Sequence, residues 1–144
     1  MIKIAIGCDH AAFEEKQKLK YFLRQKGYEV LDVGTNSSES VDYPKFGHSV
    51  ANMVVNNIAD KGIVICGSGI GISIAANKVK GIRAALCTSC EHAEMSRKHN
   101  DANILALGSR MTSEKDIFSI IDVWLSTEFE GGRHLDRRNM IEYE

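Results

Sequence analysis

The chain predicts an α/β fold, a three-layer sandwich with a five-stranded, mostly parallel sheet and helices on both faces, Rossmann-like in class. Three observations carry that reading. Apolar runs of strand length alternate five times with segments of helical character, joined by short connections and free of linkers or repeats. The runs are rich in Ile, Val, Leu and Ala, as strands covered on both faces require. Residues of unusual chemistry collect just after the runs, where open parallel sheets place their ligands.

The elements follow in order. Ile2 to Gly7 reads as a buried strand. Residues 11–26 form a helix with Leu19, Phe22 and Leu23 on one stripe, closed by Gly27. Tyr28 to Val33 is a second strand, followed by a polar loop from Gly34 to Pro44, the only proline. Phe46 to Ile58 repeats Val50, Val54 and Ile58 at helical spacing, then Gly62 to Cys66 is strand three and Ile70 to Lys78 a helix. Ile82 to Cys87 is strand four, Glu91 to His99 a polar helix and Asn103 to Leu107 strand five. Thr112 and Ser113 cap an amphipathic helix carrying Ile117, Ile120, Ile121, Trp124 and Leu125, and a basic tail runs from Gly131 to Arg138.

At 144 residues the chain is expected to be a single domain over 1–144. A net charge of -1 argues against a nucleic-acid surface, and no apolar run approaches the roughly 20 residues of a membrane span. The first ten residues read as a strand rather than a signal peptide, so a cytoplasmic location is expected, with the four cysteines reduced.

The most telling stretch is Ile63 to Lys78: a strand ending in Cys66, a turn of Gly67, Ser68, Gly69 and Gly71, and a helix start reaching Ser73. Such a turn aims backbone N–H groups and a helix dipole at one point, an anion cradle with a thiol on its lip. Counting from Gly67 or Gly69, the last glycine of a dinucleotide fingerprint falls on Ile72 or Ile74. No lysine precedes Lys78 to make a triphosphate loop, and Ile72 stands where a thiol phosphatase needs arginine. A small oxyanion or phosphate site remains, beside the alternative that the glycines serve strand–helix packing. Cys66 is either a thiol favoured as thiolate at a helix N-terminus or a small buried hydrophobe.

Asp9-His10 follows strand one and can contact a ligand, although Asp9 can equally cap the next helix. His99-Asn100 sits before strand five, where a histidine is commonly a surface residue. Arg133 and Arg137, four apart, share a helix face and can clamp a phosphate, or simply form a solvated tail. Cys87-x-x-Cys90 with His92 invites zinc or redox readings, but no second ligand pair accompanies it.

Five ordered stretches resemble the type B ribose-5-phosphate isomerases and the related galactose-6-phosphate isomerases: IGCDHAAF at 6–13, DVGTNSSESVDYP at 32–44, ICGSGIGISIAANKVKGIRAA at 65–85, SRKHNDANILALGSR at 96–110 and EGGRHLDRR at 130–138. The resemblance implies an aldose–ketose isomerase working through an enediolate, with no metal or other cofactor. It makes Cys66 the general base; some relatives instead carry glycine there and a glutamate at the position of Ile72. It gives Ser68, often Thr in relatives, a part in moving protons between the sugar oxygens. It assigns ring opening to His99 with Asp9, and phosphate binding to His10, Arg133 and Arg137. Tyr43, Asn100 and Arg110 would line the site, and backbone from Gly67 to Ser73, through Gly69 and Gly71, would hold the enediolate oxygens. It also implies a homodimer or homotetramer with sites shared between subunits. Ribose 5-phosphate is the expected substrate. The rivals are galactose 6-phosphate or allose 6-phosphate, a noncatalytic phosphate-binding module, and a redox protein using Cys87 and Cys90.

Overall fold

A computed structural model describes residues 1–143. The strands are β1 (Lys3–Cys8), β2 (Glu29–Gly34), β3 (Lys61–Cys66), β4 (Ala84–Leu86) and β5 (Ile104–Gly108). They form one sheet in the order β2-β1-β3-β5-β4, and every pairing is parallel. Alternation along the strands splits the core into two layers. Ile4, Ile6, Ile63, Ile65, Leu105 and Leu107 face α1 (Phe13–Gln25), α4 (Cys90–Lys98) and α5 (Glu114–Ser126), where Leu19, Leu23, Ala93, Ile120 and Trp124 meet them. Ala5, Val64, Cys66, Ile104 and Ala106 face α2 (Tyr43–Val55) and α3 (Ile70–Asn77), packing on Val50, Val54, Ile72 and Ala76. Among the described residues, no helix is long and apolar enough to cross a membrane.

Several boundaries move for identifiable reasons. Helix α2 starts at Tyr43, three residues before the expected Phe46, because Pro44 fits the first helical turn, where its missing N–H costs nothing. It ends at Val55, the left-handed Asn57 turns the chain (φ 58), and Ile58 is left exposed. Strand β4 is only three residues long; it lies at the sheet edge, and the Asn77 side chain satisfies both the N–H and the carbonyl of Ala84. The tail forms a short helix, α6 (Arg133–Asn139).

This strand order positions the site. From β1 the chain moves outward to β2, while β3 leads the other way to β4 and β5, so the connections diverge between β1 and β3. That divergence opens a crevice beyond their carboxyl ends, and the Asp9 N–H ties its two lips by donating to Ile65 O at 3.2 Å.

Candidate active site

Cys66 ends β3 on the α2/α3 face, 4% exposed, and the Gly69 N–H donates to its Sγ at 3.2 Å. An N–H at a helix N-terminus aimed at sulfur stabilises negative charge there. Gly69 adopts φ +80, and a Cβ on it would lie 2.6 Å from Leu86 Cδ1 and 2.7 Å from the Leu107 carbonyl carbon. The turn is therefore both left-handed and too crowded for any side chain. Ser68 Oγ accepts the Ile70 N–H at 3.1 Å. Ser73 turns both its donors back into the helix, its hydroxyl to Ile70 O at 2.8 Å and its N–H to Gly69 O at 3.2 Å. Of the expected backbone cradle, Gly69, Ile70 and Ser73 are thus already used. The N–H groups of Gly71 and Ile72 meet no protein acceptor among the described residues.

Other side chains gather around this turn. The Tyr43 ring lies flush on Gly71, whose added Cβ would come within 2.5 Å of it. The Arg110 side chain crosses Gly67, and the Arg110 main-chain N–H donates to Gly67 O at 2.9 Å. Asp9 caps a short 3₁₀ turn, His10–Ala12, its Oδ1 accepting the Ala11 N–H at 3.0 Å. The capping role is thus occupied, as its residue type allowed. His10 Nδ1 accepts the Val41 N–H at 3.1 Å, which leaves the proton of a neutral ring on Nε2, a donor with no partner among the described residues.

The remaining expected residues lie elsewhere. Helix α4 runs back along the sheet from its carboxyl to its amino edge, so His99 and Asn100 emerge beside the start of β5. Cys66 pairs with the other end of that strand, Gly108, roughly 13 Å away at ~3.3 Å per residue. His134 of α6 stacks on His99, ring centroids 4.4 Å apart, so Arg133 and Arg137 belong to this amino-edge group. Both arginines are exposed. Glu130 Oε1 is 3.8 Å from His99 Nε2 and 3.5 Å from His134 Nε2. Desolvation, reinforced by His99 and Arg133, pushes the His134 imidazole below its ordinary value. The expected Asp9–His99 pair is therefore not formed within one chain. Within one chain the expected site residues thus form two groups at opposite ends of the sheet.

Comparison with known proteins identifies the family. The family model described as Ribose/Galactose Isomerase matches residues 4–141. The chain belongs to the ribose/galactose isomerase family. It is 50% identical over 141 residues to ribose-5-phosphate isomerase B of Escherichia coli K12, covering 98% of this chain and 95% of that one. A solved structure of Clostridium thermocellum ribose-5-phosphate isomerase B superposes with a TM-score of 0.96 at 56% identity, over 97% of this chain and 95% of that chain. A galactose-6-phosphate isomerase subunit of Clostridium acetobutylicum is 42% identical over 127 residues, 88% of this chain but 73% of that one. This member of the family is an isomerase, and it has the Rossmann-like fold its sequence predicts.

Within that family frame, the thiols separate clearly. Burial pushes Cys8 up to about 12 and Cys87 up to about 11, so both stay protonated at neutral pH. Cys90 is exposed, and His92 Nδ1 is engaged with Thr88 Oγ1 at 3.1 Å. Cys87 is buried while Cys90 is exposed, so the two do not form an accessible dithiol. Sequence reasoning missed Lys16, which is fully buried and bonded to Asp32 at 2.7 Å and to the Thr35 carbonyl. Its signal was present: Lys16 shares the apolar stripe of Leu19 and Leu23 at i, i+3 and i+7. Burial alone would raise the Asp32 carboxyl, but hydrogen bonds from Lys16, Lys20 and the Gly34 N–H overcome it and hold it below the usual range. This network fixes the loop behind His10.

Proposed function

We propose that the chain is a ribose-5-phosphate isomerase of type B, one sugar-phosphate isomerase domain over residues 1–144, interconverting ribose 5-phosphate and ribulose 5-phosphate. The observation that carries the reading is the Cys66 thiol on a turn of inward N–H groups at the β1/β3 crevice, in a chain so similar to ribose-5-phosphate isomerases B. The proton beside the carbonyl leaves C2 to the Cys66 thiolate and returns to C1 from the same sulfur. C1 gains the proton and becomes a CH₂OH carbon, while C2 becomes the ketone. The enediolate between them spreads its charge toward the free N–H groups of Gly71 and Ile72, an oxyanion-hole role. The Gly69 N–H acts on the base rather than on the sugar, since it already bonds Sγ. The Ser68 hydroxyl passes the proton between the two oxygens. No metal or other cofactor is needed, because a poised base and fixed donors supply the proton transfer and the charge stabilisation.

Ring opening falls to His99, and phosphate binding to Arg133, Arg137 and the His10 Nε2–H. Tyr43, Asn100 and Arg110 line the sugar, and Asp9 orients it. The separation of the half-sites supports a homodimer, or a tetramer of two such pairs, in which the amino-edge group of one copy covers the crevice of the other. Ile70 and Ile74, each more than half exposed on α3 next to the cradle, offer apolar surface for that contact. A phosphohexose substrate is the same-site alternative, weakened by the lower coverage of the galactose-6-phosphate isomerase relative.

The test is incubation with ribose 5-phosphate in heavy water plus a chelator. The expected result is ketose carrying deuterium at C1, with allose 6-phosphate and galactose 6-phosphate turned over more slowly. Full turnover by Cys66→Ala would overturn the assignment of the base.

A further inference from the structure

Glu130 is an unusual carboxylate, because among the described residues its only partners within ion-pairing distance are two imidazoles. The donor atoms of His99, Glu130 and His134 all lie within 4.8 Å of one another. A tetrahedral zinc ion bonded at about 2.0–2.2 Å to nitrogen and carboxylate oxygen holds its ligands roughly 3.4 Å apart. The observed 3.5 Å and 3.8 Å separations from the carboxylate are within a few tenths of an ångström of that arrangement. The two imidazoles share Glu130 Oε1 as a neighbour but are stacked at 17°, so one ring must turn out of the stack before both in-plane Nε2 lone pairs can meet a single ion.

The main chain builds this geometry from two segments. The Glu130 N–H donates to Lys98 O at 3.1 Å, which locks the approach of the tail to the residue beside His99. Gly131 and Gly132 then take φ +70 and +56, and the His134 N–H closes on Gly131 O at 3.1 Å. That left-handed pair folds His134 back beneath Glu130, four residues on.

We propose that His99, Glu130 and His134 form a binding site for a divalent cation of the zinc class, with water completing the coordination, and that occupancy switches the isomerase off by capturing His99 Nε2. The inhibitory half rests on the ring-opening role given to His99 above; the binding half does not. Two imidazoles and one carboxylate prefer zinc, cobalt or nickel over magnesium and calcium. The nearby Arg133 and Arg137 oppose a cation, so the site binds more weakly than a closed four-ligand structural site. The cation is an inhibitor of an enzyme that needs none.

The experiment titrates the full-length chain with Co²⁺ and follows visible absorption. One equivalent per chain should give the strong d–d bands of a four-coordinate site, without a near-ultraviolet thiolate-to-cobalt band, and Zn²⁺ should displace it. Glu130→Gln and His134→Gln should each abolish those bands. In parallel, Zn²⁺ should inhibit ribose 5-phosphate turnover reversibly by chelator, with the half-inhibiting concentration at least ten-fold higher in Glu130→Gln, each variant compared with its own zinc-free rate. Binding that survives in both variants, or that shows a thiolate band, overturns the site. Binding lost in the variants but without inhibition of the native chain keeps the site and overturns the ring-opening role of His99.

Discussion

The two ends of the sheet are built from different materials. At the carboxyl end the donors belong to the main chain, set by Gly69 at φ +80 and by contacts that exclude a Cβ at Gly69 and Gly71. At the amino end the chemistry belongs to side chains on a terminal helix and a helix C-cap, with Arg133 and Arg137 exposed. A backbone cradle is rigid before any ligand arrives, which suits stabilising a short-lived oxyanion. Flexible guanidinium forks suit gripping a phosphate that is the same in substrate and product. On the proposed roles, the proton-transfer base lies at one end and the two arginines that grip the phosphate at the other, so those two functions can be weakened separately.

The largest expected effect is at the cradle. Cys66→Ala should lower kcat by about 10³-fold, in the range general acid–base groups contribute, with circular dichroism and melting temperature unchanged. Mixing that variant with His99→Asn after co-expression sharpens the comparison. If each site draws on both ends from different copies, statistical mixing of symmetric dimers restores about a quarter of native activity. Sites made within one chain would restore none.

Next comes the support of the carboxyl end. Lys16→Met leaves Asp32 in a half-buried setting with Lys20 and the Gly34 N–H, and should destabilise the fold by about 3 kcal/mol in urea denaturation, the scale for breaking a buried pair. At the amino end, Arg137→Ala should raise KM about ten-fold with kcat nearly constant, the signature of uniform binding lost. A kcat loss as large as that of Cys66→Ala would erase the division between the two ends.

The smallest effect at neutral pH concerns one carboxylate at each end. Asp32 serves the carboxyl end. At the amino end, Asp101 is held below the usual carboxylate range, where hydrogen bonds from Arg138 and Arg97 outweigh its burial. Both have folded values depressed relative to the unfolded chain. Their contribution is therefore complete above the ordinary carboxylate range and disappears as pH falls through the folded values. Stability measured by denaturation should decline on acidification below about pH 4, near the unfolded carboxylate value. Asp32→Asn and Asp101→Asn should each flatten part of that decline.

Legibility in the sequence followed the same division. The strand, glycine turn and helix start around Cys66 could be read because they adjoin in the chain, and periodicity places Cys66 on the α2/α3 face. The strand order could not be read, since nothing local tells β3 to sit beside β1 and β5. For the same reason the distance between His99 and Asp9 was invisible, although each was singled out. Ser73 was expected to lend its backbone N–H to the cradle, but in this chain that N–H closes the first helical turn on Gly69 O. Lys16 was hidden by its charge: only its place on the apolar stripe, together with Asp32 in the next strand, could have marked it as interior.

The length of β5 has a consequence of its own. Four steps of strand cannot be spanned by any rotation of His99 or Arg137, so on the two-copy reading a solitary chain is chemically mute. At protein levels below the pair's dissociation constant, output would then rise with the square of chain concentration. Halving the amount of chain would quarter the flux, a steepness that neither half-site possesses and that arises from the sheet acting as a spacer.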